Sequence, residues 1–195
     1  MRKRTGTVCI VLGVICIAAA VGLYLYNAME DRQAGKVTEE LLPEVQGAME
    51  QRVPDEPETV LIDGREYIGY LSIPALNLEL PVQDEWSYPN LKISPCRYAG
   101  SPADGDLVVA AHNYKKHFGQ ISTLPPGAAV EFTNAAGRVF RYTVDRVETL
   151  EATALEEMTA GDWELTLFTC TYGGQSRVTV RCSAAEETDT SSTTT

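Results

Sequence analysis

Hydrophobic positions along this chain follow three different spacings. Between positions 8 and 26 no side chain is charged, a continuous apolar stretch long enough for a helix to cross a hydrocarbon core, which takes roughly 20 residues. Between 27 and 58 the chain becomes acidic and rich in Glu, Gln and Ala, with Leu41, Leu42, Val45 and Met49 at helical spacing. That spacing predicts a short amphipathic helix or solvated stalk, broken near Pro43 and ended by Pro54 and Pro57. From Val60 onward the spacing shortens to strand-like runs at 67–73, 76–82, 97–99, 107–112, 129–133, 138–147, 165–171 and 177–182. Gly64, Pro74, Pro102, Asp104-Gly105, Pro125-Pro126-Gly127 and Gly173-Gly174 punctuate them. The cadence predicts an all-β barrel or sandwich, with short helical pieces at 85–91 and 154–158.

Charge sets the orientation. Arg2, Lys3 and Arg4 precede the apolar stretch and Glu30 and Asp31 follow it, so the positive-inside bias puts the N-terminus in the cytoplasm and the β-domain outside. A cleaved signal peptide fits less well, because its apolar region usually runs about 7–15 residues. The small residues Ala18-Ala19-Ala20 also lie inside the stretch rather than after it. The organisation expected is a basic N-terminus (1–7), a spanning anchor (8–26), a stalk (27–58), a β-domain (59–185) and a disordered acidic, Ser/Thr-rich tail (186–195). The formal net charge of −11 falls largely on stalk and tail. No basic stripe with interleaved aromatics is present, which argues against nucleic acid as a partner. No P-loop, GxGxxG, HExxH or Gly-x-Ser-x-Gly occurs, and neither cofactor nor metal is expected.

Cysteine and histidine carry the chemistry. Of five cysteines, Cys9 and Cys16 fall in the apolar stretch, and no CxxC pair exists to suggest a zinc or thioredoxin-type site. Cys182 shares a strand face with Val178 and Val180 and reads as core; Cys96 and Cys182 are left either free or bridged. Cys170 differs. It ends the apolar run Leu165-Thr166-Leu167-Phe168-Thr169-Cys170, and Tyr172-Gly173-Gly174 turns the chain directly after it. Arg177 then opens the next run. If those runs pair, a permanent cation lies near the sulfur and favours the thiolate. Read alone, Cys170 would be a small buried hydrophobe.

A thiol nucleophile needs a proton acceptor, and the chain has two histidines. His112 terminates the buried-type strand Asp106-Leu107-Val108-Val109-Ala110-Ala111 and shares a face with Val108 and Ala110 by alternation. His117 sits in the polar connection Tyr114-Lys115-Lys116-His117-Phe118-Gly119 and is expected to be a bystander. A histidine and a cysteine that both end apolar strands favour His112 as the partner.

At this point the chain resembles the sortases, membrane-anchored cysteine transpeptidases of Gram-positive surfaces. The motifs are Ala110-Ala111-His112-Asn113, Thr166-Leu167-Phe168-Thr169-Cys170, and Arg177 opening the last strand. The resemblance implies an eight-stranded barrel with short helices behind an N-terminal transmembrane helix. It implies Cys170 as nucleophile, His112 as general acid/base and Arg177 as stabiliser of oxyanion or substrate backbone. Thr169, Thr171, Tyr172 and Asn113 are expected to assist at the substrate. The implied partners are sorting-signal peptides of surface proteins, such as Leu-Pro-x-Thr-Gly, and an amine of a peptidoglycan precursor. Ala111 stands where many members carry glycine, and the Cys-to-Arg spacing is short. The lack of a second span after the barrel and of an aspartate-proline-aromatic lid argues against the pilus-polymerising subgroup, and the Thr-Leu-x-Thr-Cys form suggests a class D-like or class B-like enzyme. Specificity is expected from the loops at 149–163 and 94–102, with Trp163, Tyr172 and Tyr98 more often core than pocket wall. The competing readings are an extracellular cysteine peptidase that only hydrolyses, and a non-catalytic, membrane-tethered peptide-binding barrel.

Overall fold

The computed structural model describes residues 2–51 and 59–185. The predicted disordered tail and the prolines expected to end the stalk lie outside those residues.

One helix, α1 (Arg2–Glu50), carries both the apolar stretch and the acidic segment after it. Its N-terminal half is long and apolar enough to cross a membrane, and none of that stretch is buried against the protein. The break expected near Pro43 is absent, because Pro43 lies inside the helix. Proline there forfeits one backbone N–H bond, and packing on both sides compensates. Val45 is fully buried in a cluster with Val60, Tyr67 and Ala135, supported by Leu41, Ala48 and Met49. The second half of α1 is therefore a docked element and not a solvated spacer.

The strands are β1 (Val60–Ile62), β2 (Arg65–Ile73), β3 (Leu78–Gln83), β4 (Cys96–Ala99), β5 (Leu107–Ala110), β6 (Ala129–Asn134), β7 (Val139–Glu151), β8 (Leu165–Cys170) and β9 (Ser176–Ala184). They form one sheet in the order β1-β2-β3-β4-β5-β8-β9-β7-β6, and β2 also pairs with β6. That last pairing closes the sheet into a barrel of eight strands, with β1 hung on the edge of β2. Closure removes the exposed sheet edges that an open sheet would carry. Two short helices, α2 (Tyr88–Leu91) and α3 (Leu155–Thr159), lie where the sequence places helical pieces.

Alternation sorts each strand into two faces. Leu107 and Val109 of β5, Leu165 and Leu167 of β8, and Val180 and Cys182 of β9 fill the barrel interior. The intervening positions Val108, Ala110 and Phe168 point outward, where Leu91, Cys96 and Met158 cover them. Cys96 and Cys182 are both free and belong to clusters on opposite sides of the barrel wall, so no bridge joins them.

Candidate active site

β5, β8 and β9 are neighbours, and the site lies where their ends meet. β5 and β8 run parallel with Ala110 opposite Phe168. Ala111 N–H donates to the Phe168 carbonyl at 3.2 Å, carrying the pairing past the end of β5. Two positions on from Ala110 and Phe168 are His112 and Cys170. On the other side of β8, Cys170 is opposite Arg177 in antiparallel register. Continued by two residues, this register puts position 112, just past the end of β5, in one row with positions 170 and 177 of β8 and β9. Residues in such a row share a face, here the outer one, in line with Ala110 and Phe168.

The reason for the placement is local. Thr169, the residue before the thiol, points inward, is buried, and donates its hydroxyl to the Ala111 carbonyl at 2.8 Å. Ala111 is the residue before the imidazole, so one bond fixes the stagger between Cys170 and His112. Thr169 is consequently a strap inside the barrel and does not face substrate, contrary to its expected role. After Cys170 the chain reverses at once. Gly173 and Gly174 adopt φ of 86° and 71°, which disfavours any side chain. Gly174 N–H donates to the Thr171 carbonyl at 2.8 Å, and Thr171 N–H donates to the Ser176 carbonyl at 3.0 Å. The Thr171 hydroxyl accepts from Ser176 N–H at 3.2 Å, so it is spent on the turn. Tyr172 at the tip is 91% exposed and packs in no core. Asn113 is half-buried at the start of the next loop.

Arg177 Nη1 donates to the Gly174 carbonyl at 3.0 Å and to the Ser176 carbonyl at 3.1 Å. These two bonds bend the guanidinium over the turn that follows the thiol and use one of its three nitrogens. Burial, and behind it the Lys92 ammonium, holds the His112 imidazole below its ordinary pKa, while Glu30 pulls the other way. A neutral ring is a proton acceptor. Its Nε2 is buried and has no hydrogen-bond partner among the described residues.

His117 is no bystander on a polar loop. It is fully buried, its Nε2 lies 3.3 Å from Thr38 Oγ1 of α1, and burial pushes its pKa down to about 4. It stays neutral and structural. The sequence reading also passed over Tyr114, whose ring stands 4.9 Å from that of His112. An aromatic placed between two histidines is the signal that was available.

On the outer face beside these residues the wall is closed by packing: Val108, Ala110 and Phe168 are buried beneath Leu91, Cys96 and Met158 of α3, with Tyr98 packed against them. Tyr98 meets Phe168 edge-on at 5.1 Å and Trp86 at 5.7 Å. Trp163 lies under the Arg146 guanidinium at 5.0 Å. α3 is held down by Arg181, which is 3% exposed and on the same outward-facing set as Arg177. Arg181 donates to Glu148 at 2.8 Å, to the Thr166 hydroxyl at 3.0 Å, to the Met158 carbonyl at 3.3 Å and to the Glu157 carbonyl.

Comparisons with known proteins bear on the family and the fold. Residues 71–185 match the model of the sortase domain. A crystal structure of sortase C1 from Streptococcus agalactiae is 26% identical over 65% of this chain and 71% of that one, with a TM-score of 0.56. A Clostridium perfringens sortase D5 transpeptidase is 16% identical over 77% of this chain and 99% of that one, with a TM-score of 0.62. Sortase C of Clostridium perfringens with its C-terminal cell wall sorting motif is 21% identical over 80% of this chain and 95% of that one, with a TM-score of 0.56. No curated protein sequence matches the chain.

Proposed function

The chain belongs to the sortase family, and on that premise we propose that it is a membrane-anchored cysteine transpeptidase acting on sorting-signal peptides. The reading is supported by the register that sets Cys170 opposite Arg177 and carries the β5–β8 pairing on to Ala111, the residue before His112.

The chemistry follows from His112, Cys170 and Arg177. Cys170 gives its proton to His112, and the sulfur attacks the carbonyl of the threonine in a Leu-Pro-x-Thr-Gly-like signal. A sulfur–carbon bond forms, the carbon–nitrogen bond to the next residue breaks, and imidazolium protonates the departing amine. An acceptor amine then attacks the thioacyl carbon, loses its proton to His112 and releases the thiol. Oxyanion stabilisation falls to the guanidinium of Arg177, whose nitrogens exceed the two turn carbonyls it serves. Removal of a single donor of this type costs about 10²–10³ in rate. Peptide would approach the open end of the row, bordered by Tyr172, which is 91% exposed, and by Asn113.

We place the acceptor amine on a peptidoglycan precursor and the β-domain outside the cell, with the N-terminus cytoplasmic, from Arg2, Lys3 and Arg4 ahead of the apolar stretch. The class D-like or B-like assignment rests on the Thr-Leu-x-Thr-Cys form alone.

The test is mass spectrometry of the full-length protein with a Leu-Pro-x-Thr-Gly peptide, with and without triglycine. The expected result is a thioacyl adduct on Cys170 that triglycine resolves into ligated peptide. Cys170→Ala and His112→Ala should each abolish both while the protein stays folded. Free acid as the sole product at high triglycine would mean a hydrolase instead.

A further inference from the structure

The loop that follows His112 is gripped by α1 at several points. Tyr114 Oη donates to Glu30 Oε2 at 3.2 Å. Lys115 N–H donates to Asp31 Oδ1 at 2.6 Å. Lys116 Nζ reaches Glu39 at 3.4 Å, and its side chain lies where a Cβ on Gly35 would stand, 2.8 Å from Cγ. His117 approaches Thr38. Glu30, Asp31, Gly35, Thr38 and Glu39 follow one another at helical spacing, so a single stripe of α1 meets the whole loop.

From its other side the loop is folded back on itself. Phe118 N–H donates to the His112 carbonyl at 3.1 Å, and Gly119 N–H donates to the Tyr114 carbonyl at 2.8 Å. A Cβ on Gly119 would stand 2.5 Å from the Asn113 carbonyl oxygen, which is below contact distance, so this close return admits only glycine. Tyr114 is thereby wedged between two imidazoles, 4.9 Å from His112 and 5.6 Å from His117. Among the described residues His112 Nε2 has no hydrogen-bond partner, which leaves the Tyr114 ring, 4.9 Å away, as a contact that orients it.

Building on the functional reading above, we propose that Tyr114 is a positioning residue for the His112 imidazole, and that Glu30, on the helix leading out of the apolar stretch, holds Tyr114 in place. The acid/base of the reaction is then oriented by the anchor helix as well as by the barrel. α1 is a working part of the active site.

The test uses the full-length chain in nanodiscs, a fluorogenic Leu-Pro-x-Thr-Gly peptide and triglycine. Glu30→Ala and Tyr114→Phe should each lower kcat about three- to tenfold, the factor corresponding to one hydrogen bond, with KM for the peptide unchanged. The double variant should be no worse than the poorer single, because both break the same bond. Glu30→Gln keeps an acceptor oxygen and should stay within about twofold of wild type by the same reasoning. Glu40→Gln, on the exposed side of α1, is the control that should change nothing. The proposal is overturned if the two single variants match wild type, if KM moves in place of kcat, or if Glu30→Gln falls as far as Glu30→Ala. The wild type separates the two readings. An adduct on Cys170 together with a flat Glu30 series overturns this proposal alone, whereas a wild type that forms no adduct overturns both.

Discussion

Thr169 donates its hydroxyl to the carbonyl of Ala111 at 2.8 Å, joining the residue before the thiol to the residue before the imidazole. The bond lies inside the barrel, out of reach of substrate, yet it fixes how β5 and β8 end relative to one another. Thr169→Val keeps the shape and removes the donor. It should cost about 1–3 kcal/mol, the penalty for stranding a buried acceptor, and should lower kcat, while Thr169→Ser recovers both. Chemical denaturation alongside steady-state kinetics checks this; a valine variant as stable and active as wild type would remove the strap from the account.

Arg177 should not tolerate lysine. Its Nη1 already serves the Gly174 and Ser176 carbonyls, and only a planar fork has donors left for a developing oxyanion. Arg177→Lys should lose about 10²-fold in kcat/KM with little change in thermal midpoint. A rate near wild type would take Arg177 out of the chemistry.

Arg181 is a stability residue. It is buried and tied to Glu148 and to two carbonyls of α3. Arg181→Ala leaves Glu148 paired with Arg146 but strips the Thr166 hydroxyl and the two α3 carbonyls of their donor, and should cost about 1–3 kcal/mol. Arg181→Met fills the space and should recover part of the loss. Urea denaturation of the two variants checks this; an alanine variant as stable as wild type would take Arg181 out of the account.

His117 gives stability a dependence on pH. Burial lowers its pKa from the usual 6.5 to about 4 in the folded protein. The unfolded chain therefore takes up a proton near 6.5 that the native state refuses until about 4. The stability due to this group is fully present above pH 6.5, is lost as pH falls from there to about 4, and changes no further below that. The loss is about 3 kcal/mol. His112, lowered in the same direction, adds to the slope in the upper part of that window. Thermal melts between pH 7 and 4 should show the decline, and His117→Gln should flatten it; parallel curves would refute the assignment.

What the sequence revealed and what it hid divide along contact distance. β8 and β9 were legible because Leu165, Leu167, Val178, Val180 and Cys182 alternate with outward residues, and alternation needs no knowledge of the rest of the fold. The pairing of Cys170 with Arg177 followed from the two-glycine turn between them. β1 was missed because Val60–Ile62 is too short to show a period. His117 was misread because its surroundings come from Thr38, far away in sequence. Thr169 looked like a substrate contact because it neighbours the nucleophile, although the same alternation turns it inward. The helix through Pro43 could not be foreseen, since the residues that hold it, Val60, Tyr67 and Ala135, belong to the barrel.

The uninterrupted rod of α1 has a consequence for where the reaction happens. The apolar stretch ends at Tyr26 and the first grip on the loop after His112 is at Glu30, about 6 Å further along a helix that rises 1.5 Å per residue. If the stretch lies in a bilayer, the thiol works at lipid headgroup height and at a distance no linker can vary. Reactants that carry their own lipid or peptide anchor would then reach it by drifting sideways in the same leaflet.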